Sequence, residues 1–193
     1  MRPREDRGSR DLTADDSPTA RALAGSWAQL SAVVRRLHGP CAVHGRFVVE
    51  RGEGWAVALV AWIFGLPAPG PEVTTSLEVR AGRHEFTWDR RFGTRRLITH
   101  QRALRGGTLA ERLGGIECVF ELTATHDAIE YRQSGARLCA GPLRLPLPRP
   151  LAPRVEARVR ALGESMEVEV VLSAPVIGRL MRYRGMVQRQ GDT

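Results

Sequence analysis

Four polar residues fall where strand alternation or a turn brings them toward apolar company: Arg90, Glu111, Tyr131 and Tyr183. The most informative surroundings are those of Arg90, where the chain reads HEFTWDRRFG from His84 to Gly93 and continues as TRRLITHQRAL to Leu104. Side chains of a strand point alternately to its two faces, so His84, Phe86, Trp88, Arg90 and Phe92 share one side, and Glu85, Thr87, Asp89 and Arg91 the other. Burying Phe86, Trp88 and Phe92 carries Arg90 inward with them. A guanidinium taken out of water needs an anion opposite it, because an unpaired buried charge is very costly. Arg90 could orient a ligand carboxylate or enolate, Glu111 could act as a base or as the arginine's partner, and Tyr131 could donate to a carbonyl. The plainer alternative is a structural Arg-Glu-Tyr network. His100 becomes an acid/base candidate if its side of the strand faces inward, which Ile98 and Leu104 favour and Arg102 opposes. The catalytic candidates are therefore Arg90, Glu111 and His100, and the ligand-binding candidates Phe86, Trp88, Arg90, Phe92, Tyr131 and Tyr183.

Other chemistries find no support in residue type or spacing. The five histidines, at 38, 44, 84, 100 and 126, show no HxxxH or HxH spacing and no flanking acidic cluster. They read as surface or edge side chains, and no metal is expected. There is no GxSxG elbow, and the glycines at Arg105-Gly106-Gly107 lack a helix to cradle phosphate. With no dinucleotide fingerprint either, no cofactor is expected. All 29 basic residues are arginine, which excludes a Schiff-base lysine, a Walker-A loop and a Ser-Lys dyad. The absence of lysine and asparagine has the look of a GC-rich codon bias. The net charge is +8, but the arginines are spread along the chain instead of massed as a phosphate-tracking stripe, so a nucleic-acid partner is not expected. Cys41, Cys118 and Cys139 have no CxxC spacing and read as small core residues in a reducing compartment. No apolar leader region stands at the N-terminus, and the longest apolar run, Trp55 to Phe64, is too short to cross a bilayer. These features point to a cytoplasmic protein without a membrane span.

The elements that must position these residues are mostly strands. The 193 residues suggest one domain, with a mobile polar lead-in at 1–20, a single β-rich domain at 21–189 and a tail at 190–193. A helix is expected from Thr19 to Leu37, its apolar face built by Leu23, Trp27, Leu30, Val34 and Leu37. WAVALVAWIF, Trp55 to Phe64, is apolar nearly all round and reads as a short buried helix that plugs one end of a curved sheet. The alternative, an interfacial membrane segment, lacks the charged face expected of one. About nine alternating segments joined by short turns imply antiparallel strands. The fold expected is mainly β (α+β), a strongly curved antiparallel sheet or β-barrel, with a two-sheet sandwich as the competitor. The proline-rich stretch from Leu143 to Pro153 is a rim connector, not a central strand.

Four stretches also resemble a known family. WDRRFG at 88–93, LAERLG at 109–114, LPLPRPLAPRVEAR at 145–158 and PVIGRLMRYRG at 175–185 are similar, in order, to the bacterial domain of unknown function four-one-six-six. The likeness runs from about Ala22 to Val187, with Arg144 standing where glycine is expected. The resemblance implies a compact partner or accessory domain often attached to reductase-like or saccharopine-dehydrogenase-like proteins, here either meeting a reductase-like partner in trans or acting alone; it implies no reaction. Three functions follow for testing. The first is binding of an apolar small molecule in the barrel interior. The second is a cofactor-independent cyclase or isomerase acting on a polyketide- or terpenoid-like substrate, and the third an accessory interaction domain.

Overall fold

The computed structural model describes residues 12–82 and 84–189. Most of the expected lead-in and all of the tail at 190–193 lie outside them. The packed region nevertheless begins before residue 21, because Ser17, Pro18, Thr19 and Ala20 are already buried.

Eleven strands form one antiparallel sheet: β1 (Cys41–Arg51), β2 (Gly70–Ala81), β3 (Phe86–Phe92), β4 (Arg95–Leu104), β5 (Thr108–Leu113), β6 (Ile116–Ala124), β7 (Ala128–Ala140), β8 (Leu143–Pro146), β9 (Arg154–Leu162), β10 (Ser165–Ala174) and β11 (Gly178–Arg189). Neighbours in sequence pair from β1 to β7. β7 then pairs with β9, β9 with β10 and β10 with β11, and β11 returns to β1. Ten strands therefore close into a barrel, one more than the nine anticipated, and the closure rules out a sandwich. β8 is a short exposed flap on the far half of β7, which is where prolines 146 and 148 confine it. The closing seam requires glycine at two places. A Cβ on Gly45 would stand 1.9 Å from the Met186 carbonyl oxygen, and one on Gly185 2.1 Å from that of Arg46.

Charges of opposite sign line up across the outer wall. Arg182 meets Glu169 at 2.6 Å and Arg184 meets Glu167 at 2.7 Å, and Arg46 pairs with Glu72. Asp89 is held between Arg96 (2.6 Å) and Arg80 (3.1 Å), and the Arg96 hydrogen bond keeps its carboxyl below the usual range. Glu117, 1% exposed, is gripped by Arg102, Arg137 and Arg144. Much of the arginine content is thus spent on cross-strand pairing.

Helices occupy both ends. One end is floored by α1 (Pro18–Leu23) and α2 (Ala32–Leu37), joined by a 3₁₀ segment at Ala24–Gln29. α1 packs on β4, β5 and β6, and α2 on β1, β9 and β10. The single helix expected over Thr19–Leu37 is broken into these pieces. Ala24 takes a left-handed φ of 48°, and Leu30 and Ser31 are extended. The Ser31 amide donates to the His126 carbonyl at 2.8 Å, which ties the break to the β6–β7 turn. A straight helix of that length could not follow the rim. The apolar face that the spacing predicts is nonetheless the buried one: Leu23, Trp27, Leu30, Val34 and Leu37 are all buried.

At the opposite end α3 (Trp55–Ile63) lies between Gly54 and Gly65, both at positive φ. It is the short helix anticipated, but it is not a buried one. Only Val57 and Ala61 are buried, while Trp55 (81% exposed), Leu59, Trp62 (75%) and Ile63 face outward.

Candidate functional site

The barrel encloses a largely apolar cavity of about 370 Å³, lined by residues from both helical ends and most of the strands. Strand alternation and register build its polar spot. On β3, Trp88, Arg90 and Phe92 point inward. On β4 the inward set is Leu97, Thr99 and Gln101, and on β5 it includes Glu111, which stands opposite Gln101 in the ladder. Three adjacent strands thereby assemble one network. Arg90 Nη1 donates to Thr99 Oγ1 at 2.7 Å, and Nη1 and Nη2 donate to Glu111 Oε1 at 3.3 and 3.2 Å. Gln101 Nε2 donates to Glu111 Oε2 at 2.9 Å. The guanidinium also lies 5.0 Å from the Trp88 ring centre, within cation–π reach. Two further polar atoms of this group, the Trp88 indole N–H and Gln101 Oε1, are buried without a hydrogen-bond partner among the described residues.

A second polar contact sits near the floor. His38 Nδ1 is 2.7 Å from the Val34 carbonyl and so must donate to it, which leaves Nε2 to accept the Tyr131 hydroxyl at 2.9 Å. Burial lowers the His38 pKa to about 4, so the ring is neutral at physiological pH. Burial first, and the Glu111 carboxylate second, push the Tyr131 phenol up. Tyr183 is raised for the same leading reason and packs edge-on against Phe47 and Phe92, with ring centres 5.7 and 5.2 Å away. Cys118 also lines the cavity, and burial pushes its thiol up to about 12, so it stays protonated.

Of the residues singled out from the sequence, Trp88, Arg90, Phe92, Glu111, Tyr131 and Tyr183 all reach this cavity. Phe86 does not: it is 2% exposed but belongs to the packed core away from the cavity wall. His100 is also misplaced. Thr99 and Gln101 occupy the inward positions of β4, so His100 faces outward, where Nδ1 lies 3.3 Å from both Thr87 Oγ1 and Glu85 Oε1. It is withdrawn as an acid/base candidate. His84 is exposed and precedes the strand.

Three contributors were missed. His38, assigned to the surface, is 1% exposed; its place four residues after Val34 on the buried helix face was the available signal. Thr99 and Gln101 were legible as one face of β4. Their meeting with Arg90 and Glu111 depends on pairings that a single strand does not disclose.

No curated protein matches the chain. Among solved structures, it is similar to a protein of unknown function from the DUF3598 family of Nostoc punctiforme PCC 73102, with 9% identity and a TM-score of 0.45 over 78% of this chain and 47% of that one. It is also similar to Rv2717c from M. tuberculosis, with 14% identity and a TM-score of 0.48 over 83% and 99% respectively. The chain thus spans about half the length of the first and nearly all of the second. Both likenesses are loose, and the barrel assignment stands on the strand pairings themselves. At the level of sequence, one family model takes in nearly the whole barrel, from the Leu30 break in the floor to Val187 on the closing strand: it is Domain of unknown function (DUF4166), matched over residues 30–187, and the chain belongs to that family.

Proposed function

We propose that this barrel binds an apolar small molecule in its interior, with the molecule's one polar end held at Arg90. The observation that carries this reading is the cavity itself, whose volume of about 370 Å³ lies toward the lower end of the range for small-molecule sites, about 300–1,000 Å³. Its wall is largely apolar, with polar groups gathered at the Arg90, Thr99, Gln101 and Glu111 corner and at the His38–Tyr131 contact near the floor, as expected of a site that takes its affinity from burial and its orientation from a few hydrogen bonds. Arg90 keeps donor capacity beyond its bonds to Thr99 and Glu111. A ligand oxygen that accepts from the guanidinium suits this corner: a carboxylate, carbonyl or hydroxyl.

Binding is favoured over catalysis by how the polar groups are occupied. Both Glu111 oxygens already accept hydrogen bonds, and the Tyr131 hydroxyl is committed to His38. A cyclase or isomerase that used either group would have to rearrange these contacts during the reaction. A reductase-like partner rests on the family likeness alone, and the binding reading stands without it.

The test has two parts. Native mass spectrometry of the purified chain should detect a retained apolar molecule, or an anilinonaphthalene dye should bind with enhanced emission. Val170→Trp, which fills the cavity from β10, should abolish dye binding while the fold is retained by circular dichroism. Arg90→Met should weaken a carboxylate-bearing ligand by about tenfold or more, the scale of a lost charge-assisted hydrogen bond. Failure of the wild-type chain to bind, or dye binding indifferent to Val170→Trp, would sink the proposal.

A further inference from the structure

The outward face of α3 has no partner among the described residues. Trp55, Leu59, Trp62 and Ile63 follow one another at helical spacings of four, three and one, and so form a single stripe along the helix. All four are exposed, Trp55 and Trp62 at 81% and 75%. The opposite face of the same helix supplies Val60 and Phe64 to the cavity wall. Neighbouring loops at this end add Leu151 (69% exposed) and Val176 (83%). Isolated exposed apolar residues are ordinary, but a continuous stripe with two tryptophans is the mark of a surface that meets something.

The charge around the stripe indicates what it meets. The connections at this end run from Arg51 to Gly70, Phe92 to Arg95, Pro146 to Arg154 and Ala174 to Gly178. Arg95, Arg149, Arg154 and Arg179 are exposed in or beside them. Inside these connections the described residues include one carboxylate, Glu53, and just beside them Glu50 lies 3.8 Å from Arg179 and offsets it, which leaves Arg95, Arg149 and Arg154 without an ion pair among the described residues. A second copy of the chain would bring like-charged arginine rims together, which disfavours self-association. An anionic lipid surface offers both what the indoles prefer, the boundary between headgroups and acyl chains, and what the arginines prefer, negative headgroups. No described helix is long and apolar enough to cross a membrane, and the outer wall of the barrel is charged. Contact would therefore be confined to this mouth.

We infer that the α3 end of the barrel docks on the headgroup layer of an anionic phospholipid bilayer, inserting Trp55, Leu59, Trp62 and Ile63 with the rim arginines on the lipid phosphates. This goes beyond the interior site and does not depend on which molecule the cavity holds. The docked geometry would set the thin α3 cover, and the cavity wall behind it, directly against the lipid.

The test is flotation of the full chain with vesicles of phosphatidylcholine alone and with roughly one-third phosphatidylglycerol, a content at which basic surfaces respond to anionic lipid. The expected result is binding to the anionic vesicles, weakened by salt, with a blue shift in tryptophan emission. Trp27 and Trp88 are buried already, so the shift reports on Trp55 and Trp62. Trp55→Ser with Trp62→Ser should reduce binding by about tenfold or more, since apolar insertion supplies much of the affinity. Arg149→Gln with Arg154→Gln should remove most of the preference for anionic vesicles. Thermal midpoints of these variants check that the fold is intact. Wild-type protein that ignores both vesicle types would overturn the inference, as would vesicle binding unaffected by loss of the two tryptophans. A dimer abolished by the same tryptophan changes, without vesicle binding, would assign the face to a second copy instead.

Discussion

At the floor of the barrel Trp27, Leu30, Val34 and Leu37 are sunk among strands from both halves of the sheet; at the mouth Trp55, Leu59, Trp62 and Ile63 turn away from it. The two groups have nearly the same composition. What separates them is periodicity and attachment. The floor segments carry polar residues between their apolar ones, giving one face to bury, and they touch six strands among them. α3 is apolar on both faces, and a nine-residue helix lying across an opening has room to bury only one. Composition alone cannot tell a helix that closes a core from one that offers a surface. Counting how many of its faces the fold can cover does.

Changes at the two ends should differ in kind. The largest effect belongs to Trp27→Ala, which opens a void at the floor and removes the indole that donates to Asp15 at 2.7 Å. A loss of about 3–5 kcal/mol is expected in urea unfolding, the usual cost of deleting a buried aromatic.

A comparable effect should come from acidification, through His38. Its pKa is about 4 folded against 6.5 as the ordinary value, so the unfolded chain takes up the proton first. The stabilisation from keeping this ring neutral is complete above about pH 6.5 and is lost as pH falls toward 4, by roughly 3 kcal/mol in total. Unfolding measured across that window should show the loss in the wild type, and His38→Gln should flatten it.

Inside the barrel, Glu111→Gln leaves Arg90 without its counter-charge, and because both side chains retain some access to the cavity a loss of about 1–3 kcal/mol is expected. At the mouth, Trp55→Ser or Trp62→Ser should change stability by no more than about 0.5 kcal/mol, as for other exposed positions. If either mouth substitution unfolds the protein as Trp27→Ala does, the contrast between the two ends is wrong.

The sequence disclosed a good part of this arrangement, because alternation is a local property. The inward set Trp88-Arg90-Phe92 could be read from one strand, and so could the short turns that make neighbours antiparallel. Closure could not. It rests on β11 returning to β1 and on β7 skipping the β8 flap to reach β9, pairings with no local signature. His38 and His100 show the same limit from opposite sides. Burial of the first follows from helical pieces folding under the barrel, and exposure of the second from a one-residue phase that Ile98 and Arg102 left ambiguous. The face of α3 was hidden for a further reason: hydropathy reports what a helix could bury, and says nothing about how much surface is available to cover it.

The seam between β1 and β11 has a consequence for how the protein is made. Cys41–Arg51 leaves the ribosome more than a hundred residues ahead of the partner that seals one of its edges, Gly178–Arg189. Until then the nascent sheet is an open trough with its oily lining accessible along its length and unpaired amides along one margin. A chain truncated before Gly178 would keep both hazards, the open margin and the exposed lining.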